Sequence, residues 1–547
     1  MDELKSTHRL PATRTRFIWS RGSSGPKARI PMAREISNWL SAALITAVAA
    51  GCGSKQASGF GSRPGSGPGG GGPGNGGGGP GFNFPPGDDS GSFVIDLIPG
   101  DPDAASDAEV RDPNCGPGVH TTVSGVVYDP AMQDPLFNIT VFAPKSLPLN
   151  VLPKGASCNT CDSLFPPFYG SAVTDSHGHF VLQNVPPGTN VPIVVQTGKW
   201  RKIFKVPSVT KCIDNPQPDK TLRLPKNGSG DGDLPDIAIS TGHSDSLECL
   251  LLRIGVDATE WTPGPGGTGH IHIFRGNGAD TMPASPVSSQ SLWGPNPNFK
   301  PYDVTLLSCE GGETQPLVNP DRQALLDYAN LGGRVFASHF HYFWFTPDGP
   351  WAAMNLATWY RGQQGFSDPG PVAAGVYTTR LNGTAFPEGV ALQQWLGFVG
   401  ALDPNGLLPI YYPRHNADVL PPVGPAGTPS QPWIVLDKSV TFFAPDMVPV
   451  ANGAQYFSVD LPQGAAQPCG RVVFSDLHVS GGPGSTEPGS TIFMPDYPAI
   501  ANAMAGGIVP TECAMHPLTP QEKALEFMIF DLSSCLIPIG QPSRPPK

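Results

Sequence analysis

Three hydrophobic runs in the C-terminal half break off at reactive side chains: Tyr302-Asp-Val-Thr-Leu-Leu-Ser-Cys-Glu310, Arg334-Val-Phe-Ala-Ser-His-Phe-His341 and Arg471-Val-Val-Phe-Ser-Asp-Leu-His478. Short apolar runs of this kind read as buried strands of a parallel sheet. Ligands of open α/β sheets bind outside the carboxyl ends of the strands, so three such endings predict one shared crevice.

The chain has 547 residues, room for more than one domain. Its 67 Gly and 65 Pro, against 14% charged residues, imply long connections around folded parts. A net charge of −11 with no Lys/Arg cluster excludes a nucleic-acid partner, because neutralising phosphates needs clustered cations.

Residues 1–52 read as an N-terminal extension and export signal. A short charged start from Met32 precedes the apolar run Trp39–Ala50, too short to span a bilayer. Ala49-Ala50-Gly51-Cys52 resembles a bacterial lipobox, which implies lipidation of Cys52 and a membrane partner through that anchor. Gly53 after it, by the same resemblance, implies the outer membrane of a Gram-negative cell envelope. Residues 53–114 are a Gly/Pro-rich tether that cannot form a core. Of ten cysteines, Cys52 aside, nine remain, so export predicts disulfides with at least one thiol left over. Cys309, ending a buried strand, is the expected odd one, and Cys158-Asn-Thr-Cys161 suits a local disulfide.

Val123–Tyr128, Phe137–Phe142, Phe180–Leu182 and Val191–Gln196 alternate like half-buried strands between Gly/Pro/Asp turns, predicting a small antiparallel β-sandwich over 115–230. The run Thr174, Asp175, Gly178, Phe180, Leu182, Val185, Pro186 and Gly188 resembles the carboxypeptidase regulatory-like domain, a transthyretin-like sandwich of carbohydrate-binding-like fold. That resemblance implies an accessory module without catalytic residues. His177 and His179 fall on a turn and are expected to be solvated.

Residues 240–540 alternate helix and strand, predicting an open α/β parallel-sheet domain of flavodoxin-like or amidotransferase-like type. Asp321–Leu331 reads as a helix closing on Gly332-Gly333, and strand Arg334–Ser338 follows at once. Pro387–Val399 reads as another. The last helix opens with Thr519 as N-cap, Pro520 at its first position and Glu522 at its third. Residues 346–460 form an irregular insertion, either a lid or an inserted β unit. Tyr302–Ser308, Leu325–His339 and Gly470–His478 are similar to the class I glutamine amidotransferase-like superfamily, in particular its ThuA-like branch. That family's catalytic cysteine sits on a strand-to-helix elbow, where this chain has Ser338-His339-Phe340-His341, so Cys-dependent glutaminase chemistry is not expected.

The crevice supports two functional readings. His339 and His341, two apart on an extended segment, would face one side and, with His478, hold a divalent metal such as zinc, with Cys309, Glu310 and Asp476 as candidate catalytic groups. This gives a metal-dependent surface hydrolase. The other reading, favoured by the lack of a complete catalytic motif, is an anchored envelope protein that binds a carbohydrate ligand such as a polysaccharide through the β-sandwich and a degenerate amidotransferase-like α/β cleft, with Tyr342 and Trp344 as stacking faces.

Overall fold

The computed structural model describes residues 115–158, 163–242, 244–277, 287–313, 321–361, 372–411, 413–419, 429–438, 440, 453–479, 513 and 515–546. Cys52, the signal and the tether lie outside them.

Seven strands build the first part: β1 Val123–Tyr128, β2 Thr140–Pro144, β3 Phe168–Val173, β4 His179–Leu182, β5 Gly188–Thr197, β6 Trp200–Val209 and β7 Leu222–Arg223. They form two sheets, ordered β4-β1-β7 and β3-β2-β5-β6. The alternation in β4 does what its sequence implies, with Phe180 and Leu182 buried and His179 and Val181 exposed. Both sheets turn such faces inward, so Val123, Val127 and Phe180 share a core with Val141, Ile193 and Val195. All pairings here are antiparallel except β1 with β7. The turn before β4 is held by the Asp175 carboxylate, which accepts from the His177 and His179 N–H groups at 2.8 and 3.0 Å. His177 and His179 are exposed on it. Gly178 at φ +75° cannot be replaced freely, since a Cβ would lie 2.7 Å from Pro135.

The second part is a 10-stranded sheet with helices. Its parallel strands are β8 Ile237–Ser240, β9 Trp261–Pro263, β10 Ile271–Phe274, β11 Val304–Leu307, β12 Arg334–Ser338 and β19 Gly470–Ser475. The antiparallel ones are β14 Val372–Val376, β15 Leu408–Ile410, β17 Gln431–Leu436 and β18 Ala454–Leu461; β13 Thr358–Trp359 and β16 Ala417–Asp418 form a separate pair. The order is β15-β14-β17-β18-β19-β12-β11-β8-β10-β9. The irregular 346–460 segment thus contributes an inserted β unit that extends the sheet past β19.

Apart from the edge strand β9, the parallel strands are buried along their whole length, because both sheet faces are covered. On one face Ile237, Ile239, Leu306, Phe336 and Val473 pack with α1 Leu247–Arg253, α4 Pro387–Phe398 and α5 Pro520–Ser533. On the other, Ala238, Leu307, Val335, Ala337 and Phe474 pack with α2 Gln290–Trp293, α3 Arg322–Asn330 and the aromatic turn His339–Phe345. Helix α1 is buried all round rather than amphipathic. Helix α3 starts at Asp321, whose side chain accepts from the Ala324 N–H, and α5 opens with the Thr519/Glu522 capping box.

The described residues from 115 onward belong to one compact unit, and the sandwich packs onto the sheet face that carries α4 and α5. Trp200 meets Phe530, Phe137 stacks on Phe527, and the Trp395 indole N–H donates to the Pro135 carbonyl. The expected local Cys158–Cys161 disulfide does not form; Cys158 bonds Cys469 instead, because the fold lays the 155–158 loop against the start of β19. Cys115–Cys212 and Cys249–Cys513 are the other disulfides resolved, and Cys535 is disulfide-bonded as well. Cys309 stays a thiol, as anticipated. This disulfide content marks an exported protein. No helix among the described residues is long and apolar enough to cross a membrane.

Candidate metal centre

From β8 the chain builds β9 and β10 on one side and then crosses to β11 on the other, so β8 and β11 are neighbours whose connections diverge. This is a topological switch point, where a crevice opens at the carboxyl ends of the strands. Cys309 follows β11, His339 follows β12 and His478 follows β19. One ligand atom of each lies within 4.8 Å of the others. All three residues are buried, at 0%, 3% and 4% exposure.

Local geometry explains how they converge. His339 has φ +40°, a left-handed conformation that is uncommon for a side-chain-bearing residue and marks a sharp elbow between strand and helical turn. The elbow aims its ring back over the sheet end. There Nδ1 lies 3.2 Å from Cys309 Sγ, and the ring centroid lies 5.1 Å from that of His478. The Gly311 N–H donates to Cys309 Sγ at 3.4 Å.

Burial holds both imidazoles neutral. His478 is pushed down to about 3 by desolvation, with the Arg414 charge adding to it. His339 is driven well below its ordinary value by desolvation and then by His478 and Arg414. Among the described residues no hydrogen bond of ordinary geometry reaches either ring nitrogen of His478 or Nε2 of His339, although the Asp476 backbone and the Asn416 side chain lie near enough to act on them. Leaving such groups unsatisfied costs roughly 1–3 kcal/mol each. Neutral imidazoles with orphaned nitrogens beside a thiol are the donor set that zinc and softer divalent ions take.

His341 does not join this group. The expected pairing with His339 assumed an extended segment, but residues 339–345 wind into a 3-10 turn. His341 is 0% exposed, with Nε2 2.9 Å from the Ser308 carbonyl oxygen and Nδ1 accepting from the Trp344 indole at 3.0 Å. Its role is to lock that turn to the end of β11. Tyr342 and Trp344 are corrected too: both are 0% exposed and pack in the core, so neither offers a stacking face.

The two carboxylates lie beside the trio without joining its ligand atoms. Desolvation pushes Glu310 up to about 8, offset by the Asn277 N–H, and pushes Asp476 up to about 7. The Asp476 carboxylate accepts from the Asn416 N–H at 3.0 Å. Sequence reasoning singled out neither Asn416 nor Asp245, whose carboxylate bridges Ser338 and Val479.

No protein-family model matches the chain, and no curated protein does. Two solved chains with some likeness come from type II cohesin–X-dockerin complexes of Acetivibrio cellulolyticus. The N-terminal interface mutant is 18% identical, covers 25% of this chain and 85% of its own, and has a TM-score of 0.15. The C-terminal interface mutant is 19% identical, covers 22% and 76%, and has a TM-score of 0.13. Likeness of that size carries no argument about fold or function.

Proposed function

We propose that this chain is an exported metal-dependent hydrolase whose centre is Cys309, His339 and His478, held in the cell envelope through Cys52. The orphaned, buried ring nitrogens of His339 and His478 beside the Cys309 thiol carry this reading. A divalent ion there supplies Lewis acidity and water activation. Cys309, His339 and His478 would hold such an ion. Glu310, one residue past Cys309, and Asp476, two before His478, are placed to hold protons around the same strand ends.

The strand order β10-β8-β11-β12-β19 is the 2-1-3-4-5 order of flavodoxin-like sheets, which supports the α/β resemblance noted in the sequence. Within an amidotransferase-like scaffold, His339 occupies the elbow that a nucleophilic cysteine takes in that family. The sandwich, in a carboxypeptidase regulatory-like role, is an accessory module packed against α4 and α5. With Tyr342 and Trp344 packed inward, the carbohydrate-binding reading loses these two stacking faces in the α/β cleft and rests on the β-sandwich.

Elemental mass spectrometry on the full chain, purified without chelator, tests the proposal. One bound zinc or similar ion per chain is expected, lost in Cys309→Ser, His339→Ala and His478→Ala. Ester, phosphoester and glycoside hydrolysis that a chelator stops and added metal restores would identify the reaction. A metal-free wild-type chain would overturn the mechanism.

A further inference from the structure

The described residues of the loop after β8, 241–242 and 244–246, reach all three ligand-bearing segments. The Ser244 N–H donates to the Cys309 carbonyl at 3.0 Å. The Asp245 carboxylate accepts from the Ser338 hydroxyl, one residue before His339, and at 2.8 Å from the Val479 N–H, one residue after His478. Asp245 is 0% exposed. Gly242 sits so close to Cys309 that a Cβ would fall 2.1 Å from its carbonyl oxygen.

These contacts matter because the sheet itself stops short of the site. Strands β12 and β19 pair in register up to Ser338 and Ser475, and their shared ladder fixes nothing beyond them, although the Asp476 N–H still donates to the Gln455 carbonyl of β18 at 2.9 Å. His339 and His478 extend past that last pair. Their separation depends on whatever joins the two strand ends, and one carboxylate does so directly. A second restraint comes from α5, where the Gln521 amide donates to the His478 carbonyl at 2.7 Å.

We infer that Asp245 is a positioning residue of the metal centre, tying the ends of β12 and β19 together and so setting the spacing of His339 and His478. It touches neither donor atom and acts through Ser338 and Val479. The inference rests on the metal-centre reading above. Partners that orient metal ligands without binding the ion commonly govern affinity by about 10–100-fold.

The test measures zinc affinity by chelator competition and the visible spectrum of the cobalt-loaded protein, on the full chain and on Asp245→Ala, Asp245→Asn and Ser338→Ala, beside the thermal midpoint of each metal-free form. Asp245→Ala is expected to lose about 10–100-fold in affinity and to change the cobalt spectrum. Asp245→Asn keeps an acceptor for Val479 and recovers most of the affinity; Ser338→Ala loses one of the two bonds and falls between. Wild-type affinity and spectrum in Asp245→Ala and Ser338→Ala, whatever happens to their melting, would make Asp245 a purely structural residue. If Asp245→Ala does not fold, Ser338→Ala decides by the same readouts. A wild-type chain that binds neither ion would instead overturn the centre itself.

Discussion

Cys309 Sγ and His339 Nδ1 lie 3.2 Å apart although neighbouring parallel strands deliver them from positions thirty residues apart. The contact exists because β11 and β12 are in register to Leu307 and Ala337, and because the elbow at His339 turns the second chain back towards the first. Two strand ends become one donor set, to which β19 adds His478.

That arrangement separates His341 from the ligands. His341→Ala should leave metal content at the wild-type level while destabilising the fold by about 2–4 kcal/mol, since it strands the Ser308 carbonyl and the Trp344 indole in the core. His478→Ala should do the reverse, abolishing metal binding at smaller cost to the metal-free protein. Elemental analysis and urea unfolding on the same preparations check both halves.

The Cys158–Cys469 bond spans a sequence separation of 311 and joins the sandwich side of the molecule to the first residues of β19. Replacing the pair by alanine should lower stability by about 2–5 kcal/mol. Non-reducing peptide mapping should find Cys158 linked to Cys469; a Cys158–Cys161 link would refute the pairing.

What the sequence made legible follows from how local each signal is. Strand β12 and the capped start of α5 were readable from short apolar runs and from Thr519, Pro520 and Glu522, because those features act within a few residues. The crevice was readable in outline, as three strands ending in polar side chains. Its membership was not. Whether His339 and His341 share a face depends on one backbone dihedral, and the aromatic run after them has the composition of a cleft as much as of a core. Asp245 left no signal, since its partners lie 93 and 234 residues away. Cys158 was misassigned for the same reason: spacing favours the near cysteine, and only the packed fold brings Cys469 to it.

Gly242 should tolerate no side chain. In Gly242→Ala the new methyl would meet the Cys309 carbonyl at 2.1 Å, and a backbone atom cannot swing aside as a flexible side chain can. Cys309 must move or the loop must, so metal affinity is expected to fall at least tenfold with a lower melting midpoint. Gly375→Ala, which has open space at the corresponding position, is the control and should bind metal as wild type does.

The seam between sandwich and α5 predicts an unusual pH dependence. Glu526, at 0% exposure, faces Asp129 and Asp134 from the β1–β2 connection; the facing cation is Lys523, 3.5 Å from Asp134. Burial first, and then the two aspartates, raise the Glu526 carboxyl well above its ordinary value, and burial raises Asp129. A carboxyl raised in the folded state binds more protons there than when unfolded, so its effect on stability runs opposite to that of a salt-bridged acid. The folded state is favoured below the unfolded value near 4, and stability is lost as pH rises from there through the folded value. Glu526→Gln mimics the protonated form and should remove that slope. The variant should match wild type in urea unfolding near pH 4 and exceed it by about 1–3 kcal/mol near pH 8. Parallel pH profiles for the two proteins would mean that Glu526 carries its charge comfortably in the fold.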